Sequence, residues 1–390
     1  MKVLLVGVGG YGQVYAQELL QARDNGITVE GIVEVCMDRC PLKAEIEAAN
    51  IPIYATMEAF YAEHKADLAV ISTPTFLHCA QSIQALQQGS YVLCEKPAAS
   101  LIEEAKQMQL AQQTAGKFIA IGFQWAFHEG IQQLKQDVLA GKLGKPISLK
   151  TFVSWPRSKA YFARGGGWGG RIAMNGNLIL DSIISNACAH YMQNMLFVLG
   201  NEMNRSAMLA SVEAECARAN TIENFDVCVL RCRTADGVMV YFSGTHAGQE
   251  NHDPEFEYTF QNAVVRYQSG KDPQIVATFS DGTQKKYGDP TTNAEKKLWD
   301  VVQCIKNGTT PVCTVETAMP HTALVNTLYH KAAITDVPQH LLRDNGERVF
   351  VEGLYPLMEK AYGQCAMLSE LGCTYTKRHT FVMEGNENVL

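Results

Sequence analysis

The sequence predicts an α/β protein in two parts, and three observations carry that prediction. Short apolar strands alternate with helix-length segments through residues 1–122. A glycine-rich turn joins the first strand to the first helix. Beyond residue 220, strand follows strand with tight turns between them. Alternation of this kind implies right-handed βαβ units and a parallel sheet. A run of strands implies a large open, mostly antiparallel sheet with one face on helices. At 390 residues the chain has room for about two domains of roughly 150 residues.

Residues 3–6 form the first apolar strand, and Gly7-Val8-Gly9-Gly10-Tyr11-Gly12 follows at once. Residues 11–20 then have helical spacing, with Val14, Leu19 and Leu20 as apolar positions. G-x-G-x-x-G between a strand and a helix is the context of a dinucleotide fingerprint. Gly7 permits the tight turn, Gly9 lets backbone approach a pyrophosphate, and Gly12 lets helix and strand pack closely. Gly10 and Tyr11 complete the turn, and an anion would sit on the helix N-terminus. These residues predict a Rossmann domain. Residues 29–33 form the second strand and end at Glu34, 22 positions after Gly12. An acid there grips a ribose 2′-OH and repels a 2′-phosphate. NAD is therefore expected, with Arg39 nearby keeping NADP as the lesser alternative.

The alternation continues with strands at 51–54, 68–72, 91–94 and 118–122, and helices at 57–64, 76–88 and 102–114. Open α/β sheets bind ligands beyond the carboxyl ends of their strands. Two sequences fall there. Thr73-Pro74-Thr75, with His78 one turn on, follows the 68–72 strand. Glu95-Lys96-Pro97 follows the 91–94 strand, which places Lys96 where chemistry can happen. Pro97 removes a donor and restricts the residue before it, and a Lys-Pro bond can also be cis.

The order G-x-G-x-x-G, acid, Ser72-Thr73-Pro74-Thr75-x-x-His78, Cys94-Glu95-Lys96-Pro97 resembles the Gfo/Idh/MocA family, the glucose–fructose oxidoreductase and inositol dehydrogenase group. The resemblance is close over residues 1–200 and looser beyond. It implies a dinucleotide-binding domain over 1–122 and a substrate-binding, oligomerising α/β domain over 123–390. It implies that Lys96 touches both nicotinamide and substrate. Position at a strand's carboxyl end puts Thr73, Pro74 and His78 beside the cofactor, with capping or packing in its helix as the other reading of His78. Glu95 joins them as a cofactor neighbour, and the resemblance makes Gln124 and Trp125 substrate contacts, with a core role as the other reading of Trp125. In the family a histidine ten residues before a glycine is catalytic or binds substrate, and His190 before Gly200 matches it. The family's aspartate four residues before that histidine is Asn186 here, and the acid three residues after it is Gln193. Asp181 is the alternative partner.

Residues 155–171 place Trp155, Tyr161, Phe162 and Trp168 among Arg157, Arg164 and Arg171 around three glycines. A loop of this composition can stack on sugars and hold hydroxyls or acidic groups, or bury its aromatics in an oligomer contact. Arg157, Tyr161 and Trp168 are therefore candidate substrate contacts.

Composition narrows the classes. At 47% hydrophobic, 19% charged and net −7, the chain has ample core and no excess of positive charge to attract nucleic acid or an anionic membrane. No apolar run is long enough to span a bilayer. Twelve scattered cysteines without Cys-x-x-Cys or Cys/His pairing predict no metal site and a reduced, cytoplasmic setting. The expected function is hydride transfer between NAD and a secondary alcohol of a sugar, polyol or sugar derivative. A glycoside hydrolase using transient oxidation and a non-catalytic NAD-binding regulator are the alternatives. A homodimer or homotetramer formed through the second sheet is the expected assembly.

Overall fold

A computed structural model of the chain describes residues 1–22, 26–270 and 272–383. Residues 1–128 and 293–319 form one compact unit, and residues 129–292 and 320–390 the other.

The first unit opens with β1 (Lys2–Val6) and α1 (Gly12–Gln21), followed by β2 (Thr28–Val33), α2 (Lys43–Ala48), β3 (Ile53–Tyr54) and α3 (Met57–Glu63). Then come β4 (Leu68–Ile71), α4 (His78–Gln87), β5 (Tyr91–Cys94), α5 (Ile102–Ala115), β6 (Ile119–Ile121) and the short α6 (Gln124–Phe127). The strands form one parallel sheet in the order β3-β2-β1-β4-β5-β6, the doubly wound Rossmann order. Apolar residues throughout β1, β4 and β5 are buried, as a sheet covered on both faces requires. The helix α2 carries only one buried apolar residue, Ile46, and its sequence lacks the periodicity that would reveal it. The expected strand at 51–54 shortens to two residues because Pro52 has no N–H for a ladder.

The second unit begins with α7 (Glu129–Leu139), β7 (Pro146–Ser154), α8 (Lys159–Gly167), the two-residue strands β8 (Ala173–Met174) and β9 (Asn177–Leu178), and α9 (Ala189–Val198). The expected loop at 155–171 thus contains a helix. Ser158 caps it by accepting from Tyr161 N at 3.2 Å, and Gly166 and Gly167 end it with positive φ. The strand run starts earlier than expected, with β10 (Leu209–Arg218). It continues through β11 (Val227–Thr234), β12 (Met239–Thr245), β13 (His252–Phe260), β14 (Ala263–Gln268), β15 (Ile275–Phe279) and β16 (Gln284–Gly288). The sheet order is β16-β15-β14-β13-β7-β12-β11-β10, with antiparallel pairing except between β7 and β12.

The chain then returns to the first unit as α10 (Lys296–Asn307), and α11 (Val315–Lys331) runs into the second. The remaining described residues hold β17 (Ile334–Asp336), β18 (Leu342–Asp344), β19 (Val349–Val351), α12 (Leu354–Gln364) and β20 (His379–Val382). β17 and β20 both join the β10 edge. Leu354, Met358, Ala361 and Tyr362 of α12 bury Phe152, Val227, Val229 and Tyr241 of the large sheet. No helix among the described residues is long and apolar enough to cross a membrane.

Candidate functional site

The glycine loop is built as its spacing predicts. Gly7 has φ +83°, open to glycine at no steric cost, and a Cβ on Gly12 would lie 1.9 Å from Gly7 O. A Cβ on Gly10 would meet nothing within 4 Å, so one side of the loop faces open space. Val8 N and Gly9 N donate to Glu34 Oε2 at 2.8 and 3.0 Å, and Cys36 N donates to Glu34 Oε1 at 2.9 Å. The acid that ends β2 is therefore anchored against the loop. Open glycine backbone, a helix N-terminus and an anchored acid together fit a dinucleotide.

At the carboxyl ends of β4 and β5 the two turns are tied to each other. His78 is buried, and its ring nitrogens lie 2.9 Å from Pro97 O and 2.9 Å from Thr73 O. Burial lowers its pKa. His78 is thus a strut between the Thr73-Pro74 and Lys96-Pro97 turns, and the Lys96–Pro97 bond is cis. Lys96 itself is half-buried.

Glu95 points the other way, into the unit. Tyr15 OH donates to its Oε1 at 2.6 Å, Lys297 Nζ donates to the same oxygen at 2.5 Å, and Lys96 N donates to Oε2 at 3.1 Å. Burial works against the Glu95 charge, but Lys297 and Tyr15 outweigh it and hold the carboxyl below its usual range. Lys297 is buried, and its ammonium also sits 4.2 Å from the centre of the Tyr11 ring. Tyr11 OH in turn donates to Gln124 Oε1 at 3.3 Å. One lysine of α10 therefore touches the glycine loop and the acid before Lys96. Lys297 carries no sequence signal, because it lies 202 residues from its partner. Trp125 is buried together with Ala126 and Phe127.

In the second unit, half-buried His190 stands in the first turn of α9. Asn186 Nδ2 donates to Asp181 Oδ1 at 2.8 Å, and Asp181 Oδ2 accepts from Gly170 N at 2.6 Å. The two alternative partners of His190 are thus hydrogen-bonded to each other. Gln193 is buried and donates to Ser206 Oγ at 3.1 Å.

Residues 155–168 form a ladder of alternating rings and guanidiniums. Arg157 lies 5.2 Å from the Trp155 ring and 4.7 Å from the Tyr161 ring. Arg164 lies 3.6 Å from Tyr161 and 4.1 Å from Trp168. His246, which sequence reasoning did not single out, packs edge-on to Tyr161 at 5.8 Å. Burial and the two arginines drive its pKa down to about 3, so it is neutral. Trp155 meets Tyr191, the neighbour of His190, at 5.7 Å.

Residues 1–123 match the family model described as an oxidoreductase family with an NAD-binding Rossmann fold. Within those residues the chain is similar to the Gfo/Idh/MocA oxidoreductases. The inositol 2-dehydrogenase of Renibacterium salmoninarum is 31% identical over 150 residues, 38% of this chain and 44% of that protein. The D-glucoside 3-dehydrogenase of Escherichia coli is 26% identical over 145 residues, 37% of this chain and 41% of that protein. The chain thus matches less than half the length of these curated relatives. Among solved structures, the WlbA dehydrogenase of Bordetella pertussis in complex with NADH and UDP-GlcNAcA is similar with a TM-score of 0.68 at 21% identity, covering 85% of this chain and 95% of that one. The aldose-aldose oxidoreductase of Caulobacter crescentus has a TM-score of 0.67 at 16% identity, covering 85% and 96%. These likenesses extend the shared fold over both units.

Proposed function

We propose that this protein belongs to the Gfo/Idh/MocA family and is an NAD-dependent oxidoreductase acting on a secondary alcohol of a sugar, polyol or sugar derivative. The observation that carries the reading is Lys96, half-buried at the carboxyl end of β5 beside a glycine loop and acid that fit a dinucleotide. Bound NAD would supply the hydride acceptor, and the protein supplies orientation and proton handling. Gly7, Gly9, Gly10, Tyr11 and Gly12 cradle the pyrophosphate and Glu34 holds the ribose. Thr73 and Pro74 flank the nicotinamide side, with His78 and Glu95 bracing their turns from inside. Lys96 is the proton-handling residue of the first unit and His190 that of the second. Gln124, Arg157, Tyr161, Trp168, Asp181 and Asn186 bind substrate, while burial supports the core role for Trp125.

Residues 1–122 carry the cofactor, and 123–390 carry substrate and self-association in the cytoplasm. Association through the large sheet uses the β13–β16 part, because α12 covers much of the rest. That part bears the Arg266–Glu257 ion pair at 2.7 Å, so its contacts are polar. The test is a carbohydrate and polyol panel with NAD, read for both NADH and bond cleavage. NADH formation without cleavage is expected. Cleavage without net NADH would assign a glycoside hydrolase, and NAD binding with neither product a regulator.

A further inference from the structure

The ladder at residues 155–168 holds positive charge that no carboxylate among the described residues pairs with. Arg157 is half-buried between two rings, and its Nε is buried without a hydrogen-bond partner among the described residues. Arg164 donates from Nη1 to Tyr161 O at 2.6 Å. Neither guanidinium has a carboxylate within ion-pair distance among the described residues, unlike Arg171, which pairs with Glu223 at 3.4 Å. Two acids of this region are engaged elsewhere. Asp253 accepts from Trp155 Nε1 at 2.8 Å and from Asn251 Nδ2 at 3.2 Å. Asp181 accepts from Gly170 N and Asn186 Nδ2. His246, packed on Tyr161, is held neutral and so adds no further charge to the ladder.

A partly desolvated cation without a counter-charge is unfavourable unless something outside the chain completes it. The rings hold both guanidiniums in place, and a planar guanidinium held this way suits recognition of carboxylate or phosphate through the N–H groups it has not already committed. The rings between them offer flat faces for an apolar sugar surface. The ladder also adjoins the His190 region, since Trp155 packs on Tyr191 and Tyr161 lies within the electrostatic reach of Asp181.

Resting on the oxidoreductase reading above, we propose that Arg157 and Arg164 hold an anionic group of the substrate, so that the substrate is an acidic sugar bearing a carboxylate or a phosphate. The inference is tested by binding, independently of turnover. The NAD-loaded protein is titrated by calorimetry with pairs of an acid and its neutral parent: glucuronate with glucose, galacturonate with galactose, glucose 6-phosphate with glucose. In at least one pair the acid is expected to bind about 10- to 100-fold more tightly, the scale of hydrogen bonds to a charged group. Preference among the uronates assigns a carboxylate, and preference for the sugar phosphate assigns a phosphate. Arg157→Met should bring the ratio within that pair close to one while NAD affinity stays unchanged and the thermal midpoint does not fall, and Arg157→Lys should restore part of it. Equal binding of acid and parent in every pair overturns the inference, as does a preference that survives Arg157→Met combined with Arg164→Met. Acid preference without NADH formation would leave the anion site standing and sink the dehydrogenase reading. NADH formation from neutral sugars alone would do the reverse.

Discussion

At the carboxyl edge of the small sheet the charges of Glu95 and Glu34 are answered by the chain itself. Glu95 meets Lys297 and Tyr15, and Glu34 meets three backbone amides. Along the Trp155–Trp168 ladder the reverse holds, and two guanidiniums lie against rings with no carboxylate between them. The first arrangement makes a rigid platform that needs no ligand to be complete. The second is complete only when a ligand contributes charge. A balanced buried charge marks scaffolding and an unbalanced one marks recognition, and that contrast can be broken by experiment.

The largest effect should come from unbalancing the platform. Lys297→Met leaves the Glu95 carboxylate buried without its cation, which should cost about 3–5 kcal/mol in chemical denaturation at neutral pH. Replacing both partners, as Glu95→Gln with Lys297→Met, should recover most of that. Because the folded Glu95 pKa lies below its ordinary value of 4.5, the pair's contribution is present above that pH and lost as pH falls through the folded value. A Lys297→Met protein as stable as the parent at neutral pH would mean that the pair is not part of the scaffold.

Next come the two residues assigned to chemistry. Lys96→Met should leave NAD binding largely intact in calorimetry while turnover falls by on the order of 10²-fold or more, the scale of general acid–base catalysis. His190→Ala should cost a similar factor, roughly 10²-fold. Turnover within a few-fold of the parent would make either residue a packing element.

A smaller effect is expected where the ladder meets the His190 region. Asn186→Asp would set a second carboxylate against Asp181, removing a hydrogen bond and adding repulsion. The cost should be about 1–3 kcal/mol at neutral pH. It should shrink as pH falls, because repulsion raises a carboxyl pKa and the pair then shares a proton. If the acidic limb of the rate profile also moves to higher pH, the pair is coupled to His190. An unchanged denaturation midpoint would show that the Asn186–Asp181 bond contributes nothing. The smallest effect is in cofactor choice. Glu34→Ala should narrow the preference for NAD over NADP by roughly tenfold, the scale of one charged hydrogen bond. Equal affinities in the parent protein would remove the ribose role of Glu34.

How much was legible in the sequence differs between the two regions for the same reason. The glycine loop, Glu34 and the Glu95-Lys96-Pro97 turn lie at the ends of short apolar strands, so position along the chain already implies position in the sheet. The ladder was legible as a composition, since its rings and arginines fall within fourteen residues, yet it read as a loop. Three glycines argued against a helix, and only the Ser158 cap and the turns that follow revealed α8.

By itself, the sequence determined what depends on near neighbours: the strand–helix alternation, the tight turn at Gly7, the close approach at Gly12 and the placement of Lys96 at a strand end. Only the tertiary structure decided what depends on distant segments meeting. Lys297 reaches Glu95 across 202 residues, α10 returns to the first unit after the long excursion of the second, and α12 covers Phe152 and Tyr241 of the large sheet. Periodicity reports which face of an element is buried, but not what it is buried against. A buried lysine reads the same as an exposed one until its partner is in place.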